Sequence, residues 1–318
     1  MIDQISTTSY LQSLLDFKFD AALNSHDGRV AVAELLNDTV LRGGKRLRPL
    51  LTILFGELAG VKKPQLQILA KAIEHVHAAS LAHDDVIDGA STRRGKPSIN
   101  VAGDNKKAIL AGDFLLAQVI NDLSSLEKIE VVNEMAKIIK RLSIGEWVQH
   151  DCVKLRKYDE KVFHDISKNK TSSVLEWCSV SPFLYGDYPD KVVNTAREFG
   201  ENLGLCFQLY DDILDFSDDS SKDKFLDVKN DQLTFITYRY LVRKGLLESY
   251  ERGVPVESLL EEKELAAVIT EVRGIADGYH GLCLKKLDEL VNTLQIPKKD
   301  KNLQGILYLL GKLKDRKK

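Results

Sequence analysis

The chain has 318 residues, of which 44% are hydrophobic and 29% are charged, with a formal net charge of −2. That length and apolar content suffice for a sizeable core, in one large domain or in two ordinary ones. The near-neutral charge excludes the basic field that nucleic-acid binding requires, so we expect no nucleic-acid partner.

The cysteines and the N-terminal segment indicate the cellular compartment of the protein. Four cysteines lie far apart without a CxxC pair or a nearby histidine at metal-ligand spacing, which indicates free core thiols of a reducing compartment and not a zinc site. The N-terminal segment lacks a basic stretch followed by an apolar run, and no stretch of about 18 apolar residues occurs. We therefore expect a cytoplasmic protein that is not an integral membrane protein.

Helical periodicity runs through the whole chain. Apolar residues recur at three- and four-residue spacing and strand signals are almost absent, which predicts a nearly all-α fold. No period of 20–50 residues repeats, which excludes a solenoid. Acidic and basic segments are spread through the chain and not split between its halves, so we expect one domain over residues 1–318, an orthogonal bundle of about ten or more helices around a deep central cavity. The predicted helices are 6–24, 28–42, 47–60, 64–88, 105–124, 127–154, 158–186, 190–216, 232–245, 256–276, 277–295 and 301–313.

The first motif in chain order is the basic segment GGKRLRP, which precedes the third predicted helix. Two glycines free the backbone, and Lys45, Arg46 and Arg48 crowd a turn before a helix N-terminus. Basic side chains there oppose the helix dipole unless an anion joins them. The pattern favours a diphosphate pocket over a solvated run of charge.

The second motif, HDDVID, places Asp84, Asp85 and Asp88 in the last turn of the predicted helix 64–88. Residues at i and i+4 share a helix face, where like charges repel, and the helix C-terminus already disfavours anions. A single cluster of this kind is most often a solvated helix end. Broken local rules of this sort, however, also mark functional sites at which a cation binds.

The same spacing recurs in YDDILD, where Asp211, Asp212 and Asp215 again end a long apolar helix. Two matched clusters favour metal binding over a solvated surface. Mg²⁺ prefers carboxylate oxygens and completes its octahedron with water and phosphate oxygens. The sequence therefore predicts more than one Mg²⁺ ion and a substrate that carries phosphate.

Other polar residues admit two interpretations each. Arg93 and Arg94 follow the first cluster directly, whereas an isolated RR pair is usually surface charge. Lys170 and Thr171 interrupt an apolar helix and are explained as easily by exposure, while Gln208 shares a face with Asp212. We interpret His75, Trp147 and Trp177 as core residues. The histidines beside HDDVID suggest a metal phosphohydrolase, but the repeated unit contains aspartates alone.

With these motifs in order, the chain resembles the trans-isoprenyl diphosphate synthases, most closely the long-chain polyprenyl synthases of the octaprenyl type. The resemblance covers roughly residues 40–236. It is carried by GGKRLRP, EHVHAASLAHDDVIDGASTRRGKPS, LAGDFLLA, GEWVQ, KNKTSSVLEW and FGENLGLCFQLYDDILDF. It implies the all-α isoprenoid synthase fold and a homodimer.

The resemblance also implies a reaction and roles for individual residues. Isopentenyl diphosphate would add to an allylic diphosphate, such as farnesyl diphosphate, after metal-assisted ionisation. The implied metal ligands are Asp84, Asp85, Asp88, Asp211, Asp212 and Asp215. The implied isopentenyl diphosphate contacts are Lys45, Arg48, His77 and Arg94, and the implied allylic diphosphate contacts are Arg93, Lys170, Thr171 and Gln208.

Two further features concern product length and the end of the active site. Ala79 and Ser80 lie one turn before Asp84, where shorter-chain relatives often carry an aromatic residue. We therefore expect an open path for the growing chain and a product longer than farnesyl. The candidate walls deeper along this path are Leu116, Ile120 and Leu123. The family's lid motif, GKxxGxDLxxGKxTLP, reads SKDKFLDVKNDQLTFI here. Lys222 and Asp227 match it, but Gln232 replaces a lysine.

Three other functions stay open. The altered lid motif is compatible with a prenyl-diphosphate-binding or regulatory subunit of a heteromeric synthase. A synthase of shorter chains, such as geranylgeranyl or farnesyl diphosphate, would use the same motifs. A class I terpene cyclase also ionises an allylic diphosphate, but the second DDxxD and GGKRLRP both disfavour it.

Overall fold

A computed structural model describes residues 4–20, 29–216 and 232–315 of the chain. The α-helices of these residues are α1 (Gln4–Leu14), α2 (Arg29–Asp38), α3 (Leu47–Leu58), α4 (Lys63–Ile87), α5 (Ile99–Ala102), α6 (Asn105–Ser124), α7 (Ile129–Leu155), α8 (Glu160–Ser167), α9 (Ser173–Tyr185), α10 (Asp190–Asp215), α11 (Phe235–Lys244), α12 (Leu247–Glu251), α13 (Val256–Leu259), α14 (Leu265–Leu294) and α15 (Lys301–Lys314). The predicted all-α class is confirmed.

The chain divides into two compact units. The first comprises Met1–Ile139, Trp177–Pro189 and Asp300–Gly305, and the second comprises Lys140–Glu176, Asp190–Lys299 and Ile306–Lys318. The single domain expected from the sequence stays a prediction. Within the described ranges, no helix is both long enough and apolar enough to cross a membrane.

The first unit is built around α4, which packs against α3 and α6. The helix predicted from residue 64 begins at Lys63, and Pro64 lies in its first turn, where its missing N–H leaves no hydrogen bond unmade. Trp177 is fully buried and donates from Nε1 to the Leu69 carbonyl at 3.1 Å. The His75 ring nitrogen Nε2 lies 2.9 Å from the Phe19 carbonyl. Both core assignments are therefore confirmed.

In the second unit, α10 packs along α14. The Tyr210 hydroxyl donates to Asp277 at 2.6 Å, which joins the two helices through a polar contact. Burial is the main reason that the pKa of Tyr210 is raised. The phenol therefore stays protonated and keeps its donor role.

Several predicted boundaries are wrong for identifiable reasons. We expected two helices at 256–276 and 277–295, but α14 is continuous from Leu265 to Leu294. A glycine inside a helix costs only about 1 kcal/mol relative to alanine, and the apolar face of α14 buries enough surface to override Gly278. The predicted helix 6–24 ends at Leu14, and residues 21–28 lie outside the described ranges.

The sequence predicts no regular element between the helices 64–88 and 105–124, but this segment contains a small antiparallel hairpin of β1 (Thr92–Arg93) and β2 (Lys96–Pro97). Arg94 and Gly95 form its two-residue turn, with φ of 52° and 74°. Positive φ at both positions is what the type I′ hairpin turn requires, and glycine adopts it readily. The hairpin was not predicted from the sequence because arginine, the residue at position 94, is not typical of positive φ.

The structure also changes the interpretation of Ala79. Ala79 is 1% exposed and belongs to an apolar cluster with α2 and α6 residues such as Leu36 and Leu115. Ala79 therefore packs against protein atoms, and its expected role in product length stays a prediction. Ser80 is half-buried, and its hydroxyl donates to the His77 carbonyl at 2.9 Å.

Replacing Ala79 by phenylalanine is therefore expected to overpack this cluster and to lower the free energy of unfolding by about 1–3 kcal/mol. Urea unfolding followed by circular dichroism measures the change. Ala117→Phe is the matched control, because Ala117 is exposed on α6. Equal stability of A79F and wild type would show that the cluster has room for a ring.

Candidate functional site

The first acidic cluster lies at the C-terminal end of α4, as predicted. The helix ends at Ile87, and the Asp88 N–H donates to the Asp84 carbonyl at 2.8 Å. Asp84 is half-buried and Asp88 is exposed. Because positions i and i+4 share a helix face, these two carboxylates can serve one cation.

Asp85 has a different environment from Asp84 and Asp88. Its side chain is fully buried, and its Oδ1 accepts from Arg93 Nε at 2.7 Å and Nη2 at 2.6 Å. Its Oδ2 lies 3.4 Å from the Ile99 backbone nitrogen. Asp85 thus fastens the hairpin to α4, and its predicted role as a metal ligand stays a prediction.

A cavity of about 260 Å³ lies beside this ion pair in the first unit. Arg94 Nη1 donates to the Arg42 carbonyl at 2.6 Å, and a Cβ at Gly44, whose φ is 87°, would lie 3.3 Å from the Arg94 guanidinium. Arg93 neutralises Asp85. The remaining charged residues that line the cavity are three cations, Arg42, Arg94 and Lys96, and one carboxylate, Asp38, so the cavity favours an anion. The charged residues and glycines that line it are Asp38, Arg42, Gly43, Gly44, Asp85, Arg93, Arg94 and Lys96.

The basic motif GGKRLRP divides into residues with different tasks. Arg46 occupies the position before α3 with φ of 49°, forms an ion pair with Glu74, and lies 4.9 Å from the Phe19 ring centroid. Arg46 is therefore structural. Lys45 is exposed, Arg48 is half-buried in the first turn of α3, and neither is among the residues that line the 260 Å³ cavity.

His77 is surrounded by positive charge. Burial, followed by the charges of Arg48, Arg94, Arg93 and Arg46, holds the pKa of His77 well below its ordinary value. The imidazole is therefore neutral in the folded protein. Burial is also the largest cause of the lowered pKa of Arg94. An anion bound among these cations would relieve their mutual repulsion.

The second acidic cluster ends α10, also as predicted. Asp211 and Asp215 are half-buried, whereas Asp212 is 9% exposed. Gln208 Nε2 donates to Asp212 Oδ1 at 2.9 Å, and the Thr171 hydroxyl donates to Gln208 Oε1 at 2.8 Å. A continuous hydrogen-bonded chain therefore connects Thr171 to the acidic end of α10.

This chain opens on a cavity of about 490 Å³ in the second unit. The predicted residues Lys170, Thr171, Gln208 and Asp212 all line it, together with Gln232. Its apolar wall is formed by Tyr158, Phe163, Ile166, Leu205, Leu209, Leu233, Phe235, Ile275 and Tyr279. A ligand with a charged head and an apolar body matches this division.

Lys170 is held by two residues to which the sequence interpretation gave no role. Its ammonium forms an ion pair with Glu146 and donates to Gln149 Oε1 at 3.1 Å. Both partners belong to GEWVQ, whose three-residue spacing places them on one face of α7 and was the available signal. Trp147 was expected in the core, but it is 73% exposed, because it lies on a different face of α7.

Two more residues were missed in the first unit. Arg42 and Lys96 line the 260 Å³ cavity with Arg94. Arg42 directly precedes GGKRLRP, and Lys96 directly follows the turn Arg94–Gly95, so adjacency to recognised motifs was the signal. The remaining lid residues Lys222 and Asp227 lie outside the described ranges.

The carboxylates fit a hard divalent cation whose coordination is shared with a ligand. Within residues 4–20, 29–216 and 232–315, no group of three or more His, Cys, Asp or Glu side chains is placed to hold a metal. Mg²⁺ in phosphate sites is usually bound through one or two carboxylates, and its other ligands are water and phosphate oxygens. Asp84 and Asp88 on one helix face are such a pair of carboxylates.

Comparison with known proteins agrees with this combination of fold and acidic helix ends. A family model described as polyprenyl synthetase matches residues 30–257. A prenyl transferase of Synechocystis sp. is 31% identical over 286 residues, which cover 85% of this chain and 86% of that protein. Solanesyl diphosphate synthase 1, chloroplastic, of Arabidopsis thaliana is 35% identical over 267 residues, 80% of this chain and 64% of that protein.

A solved structure shares the fold over nearly the whole chain. It is a polyprenyl synthase from Caulobacter crescentus, 25% identical, with a TM-score of 0.76 and coverage of 99% of this chain and 96% of that chain. The class defined by these features is that of the isoprenoid synthase fold. The chain belongs to the polyprenyl synthetase family. It spans less than two thirds of the length of the solanesyl synthases of Arabidopsis and rice that it matches.

Asp85→Asn is expected to lower the free energy of unfolding by about 1–3 kcal/mol, because it leaves Arg93 without its charged partner in a buried pair. Asp88→Asn is the matched control and should change stability by less than about 0.5 kcal/mol, since Asp88 is exposed. Urea unfolding in chelator-treated buffer measures both variants. Equal stability of D85N and wild type would contradict a structural role for the pair.

The lowered pKa of His77 predicts a pH dependence of stability. The unfolded chain binds a proton near pH 6.5 but the folded His77 does not, so stability is fully present above pH 6.5 and falls below it by at most about 1.4 kcal/mol per pH unit. The charges of the four arginines named above lower the pKa of His77 together with burial, and burial also lowers the pKa of His75.

Unfolding measured from pH 7.5 to 5 should show a shallower decline for His77→Gln than for wild type, with His75 responsible for part of the remaining slope. His150→Gln is the control, since His150 is 62% exposed. An unchanged slope in H77Q would mean that His77 is protonated in the folded protein.

Proposed function

We propose that the chain is a Mg²⁺-dependent prenyltransferase that adds isopentenyl diphosphate to an allylic diphosphate and makes a longer all-trans polyprenyl diphosphate. The single observation that carries the proposal is that each DDxxD helix end is accompanied, in its own unit, by a cavity with cationic side chains. The names of the matched relatives support it, since they include prenyl transferase and solanesyl diphosphate synthase.

In the second unit the cavity suits the allylic substrate. Lys170 and Thr171 supply an ammonium and a hydroxyl to the cavity lining, and the apolar side chains of its wall suit a prenyl chain. Hydrogen bonds with Thr171 and Asp212 orient the side-chain amide of Gln208. These residues would bind and orient the diphosphate while the surrounding apolar side chains exclude water from the allylic carbon.

In the first unit the arginine-rich cavity suits the diphosphate of the isopentenyl substrate. Arg42, Arg94 and Lys96 line it, and Gly43 and Gly44 leave the backbone accessible. His77 stays neutral beside these cations, so it can donate a hydrogen bond without taking up a proton. Lys45 and Arg48 stay predicted contacts of the same substrate.

The six aspartates of the two clusters would hold the divalent cations. A bound Mg²⁺ would neutralise negative charge on the departing diphosphate and so favour ionisation of the allylic carbon–oxygen bond. The Caulobacter relative was crystallised with calcium and isoprenyl diphosphate, which supports a divalent cation beside a diphosphate. Asp84 and Asp88 are the ligands best supported in the first unit, because Asp85 is already paired with Arg93.

Product length, assembly and location stay predictions. Ala79, which is enclosed in the apolar cluster, and the half-buried Ser80 stay the candidates for a length gauge. A product longer than farnesyl agrees with the solanesyl and hexaprenyl synthases among the relatives. We retain the homodimer and the cytoplasmic location as expectations.

One observation favours a second candidate function. Gln232, which replaces an expected lysine, lines the 490 Å³ cavity and brings no charge to it. A cavity with one cation fewer suits a subunit that binds prenyl diphosphate and depends on a catalytic partner. The same assay separates the two functions.

The proposal predicts that the purified chain elongates farnesyl diphosphate with radiolabelled isopentenyl diphosphate when Mg²⁺ is present. Products are dephosphorylated and separated by reversed-phase chromatography, and EDTA should abolish them. Asp84→Ala and Asp211→Ala should each lower turnover by at least about 100-fold, because metal-assisted charge stabilisation is lost. Both variants should retain the helical circular dichroism spectrum.

The outcomes separate the alternatives. Binding of farnesyl diphosphate without elongation by the chain alone would favour the subunit of a heteromeric synthase. Near-normal turnover by a D84A/D211A double variant would overturn the role of the two clusters.

A further inference from the structure

An uncommon backbone feature presents Lys170 and Thr171. Residues Lys168–Ser172 form one turn of π-helix between α8 and α9. The π-helix has i→i+5 hydrogen bonds, is rare, and occurs mostly as single turns at functional sites. Such a turn accommodates one residue more than an α-helical turn, so contacts from neighbouring elements must stabilise it.

Those contacts come first from Arg141 on α7. Its guanidinium donates to Glu176 in a bidentate arrangement, from Nη1 to Oε2 at 2.7 Å and from Nη2 to Oε1 at 2.8 Å. The same Nη2 also donates to the Lys168 carbonyl at 2.7 Å, and Nε lies 3.4 Å from Asn169 Oδ1. Arg141 therefore holds the first two residues of the π-turn from one side.

Glu176 completes the arrangement from α9. Its carboxylate is 1% exposed, and burial is the largest cause of its raised pKa, which Arg141 opposes. A buried carboxylate is tolerated when it is paired and hydrogen-bonded. Arg197 also approaches Glu176, at 3.6 Å, which is longer than either hydrogen bond from Arg141. Glu176 thus fixes the position of the Arg141 guanidinium.

The opposite side of the π-turn packs against α10. A Cβ at Gly204 would lie 2.2 Å from Ser172 Cα, so the two backbones touch and only glycine fits. The Ser172 hydroxyl donates to the Glu201 carbonyl at 3.0 Å. The turn is therefore held between the Arg141 guanidinium and the backbone of α10.

We propose that Arg141 and Glu176 form a positioning pair that fixes the π-turn so that Lys170 and Thr171 stay at the wall of the 490 Å³ cavity, where they bind the diphosphate of the allylic substrate. The proposal rests on the proposed prenyltransferase function and adds residues to which neither the motifs nor the family resemblance gives a role. Arg141 and Glu176 line neither cavity themselves. They act through the backbone of Lys168 and the side chain of Asn169.

The test compares Arg141→Met with Arg197→Met in the full-length protein. Both variants remove a cation from Glu176, but only R141M also removes the donor to the Lys168 carbonyl. Hydrogen–deuterium exchange followed by mass spectrometry should show faster exchange over residues 165–175 in R141M alone. Peptides from α6 should exchange as in wild type in both variants.

The kinetic result expected of R141M is a loss of about 100-fold in kcat/KM for farnesyl diphosphate, the order expected when a binding group is misplaced by about 1 Å. The KM for isopentenyl diphosphate should change little. R197M should lie within about fivefold of wild type, as expected for a partly exposed ion pair. Affinity for farnesyl thiodiphosphate, measured by calorimetry with Mg²⁺, should fall in R141M and not in R197M.

Two milder variants cover the case in which R141M does not fold. Arg141→Lys keeps the charge but loses the bidentate geometry, and Glu176→Gln keeps the shape but loses the charge. Each should show an intermediate exchange rate over residues 165–175 and an intermediate affinity for the thiodiphosphate.

The positioning proposal is overturned if residues 165–175 exchange as in wild type in R141M and R141K, or if R197M matches the loss in R141M. Inactive wild-type protein would contradict the prenyltransferase function. Hydrogen–deuterium exchange and affinity for farnesyl thiodiphosphate would still test the role of Arg141 and Glu176 in that case. Active wild-type protein with unaltered exchange in the variants would contradict the pair alone.

Discussion

The structure depends on how negative charge is held at the end of a helix. Three aspartates close α4, where the helix dipole and their mutual repulsion both act against them. The hairpin after α4 supplies Arg93, which pairs with the buried Asp85. The pair removes one charge of the three and also sets the direction in which the chain leaves the helix, so the arginine-rich wall forms next to the acidic end.

At the second acidic end, a neutral group contacts the buried aspartate. Asp212 accepts a hydrogen bond from the amide of Gln208, and Gln208 accepts one from Thr171. An amide donor stabilises a carboxylate without cancelling its charge. The two buried aspartates of the same sequence motif therefore differ in environment: Asp85 pairs with a guanidinium, whereas Asp212 accepts from an amide in a cavity that Lys170, held by Glu146, also lines.

Much of this was accessible from the sequence. The helices that carry both acidic clusters were predicted nearly to the residue, because Pro64, the apolar periodicity and the terminal aspartates all indicate the same boundaries. Four predicted ligand-binding residues line one cavity. Predictions failed at one helix boundary and at one core assignment: α14 continues through residues 276 and 277, where two helices were expected to meet, and Trp147 lies on the surface. The pairing of Asp85 with Arg93 was not predictable, since identical spacing of aspartates carries no information about which one is buried.

The π-turn was beyond sequence reasoning for a physical reason. Residues 158–186 read as one uninterrupted helix, and the shift from i→i+4 to i→i+5 bonding depends on Arg141 and on the backbone of α10, both distant in sequence. Because the π-turn takes up one residue more than an α-helical turn, deleting a single residue from Lys168–Ser172 would restore ordinary α-helical bonding and leave the residues of α8 and α9 on the same helix faces. What the surplus residue changes is local: it sets how Lys170 and Thr171 are placed at the wall of the 490 Å³ cavity.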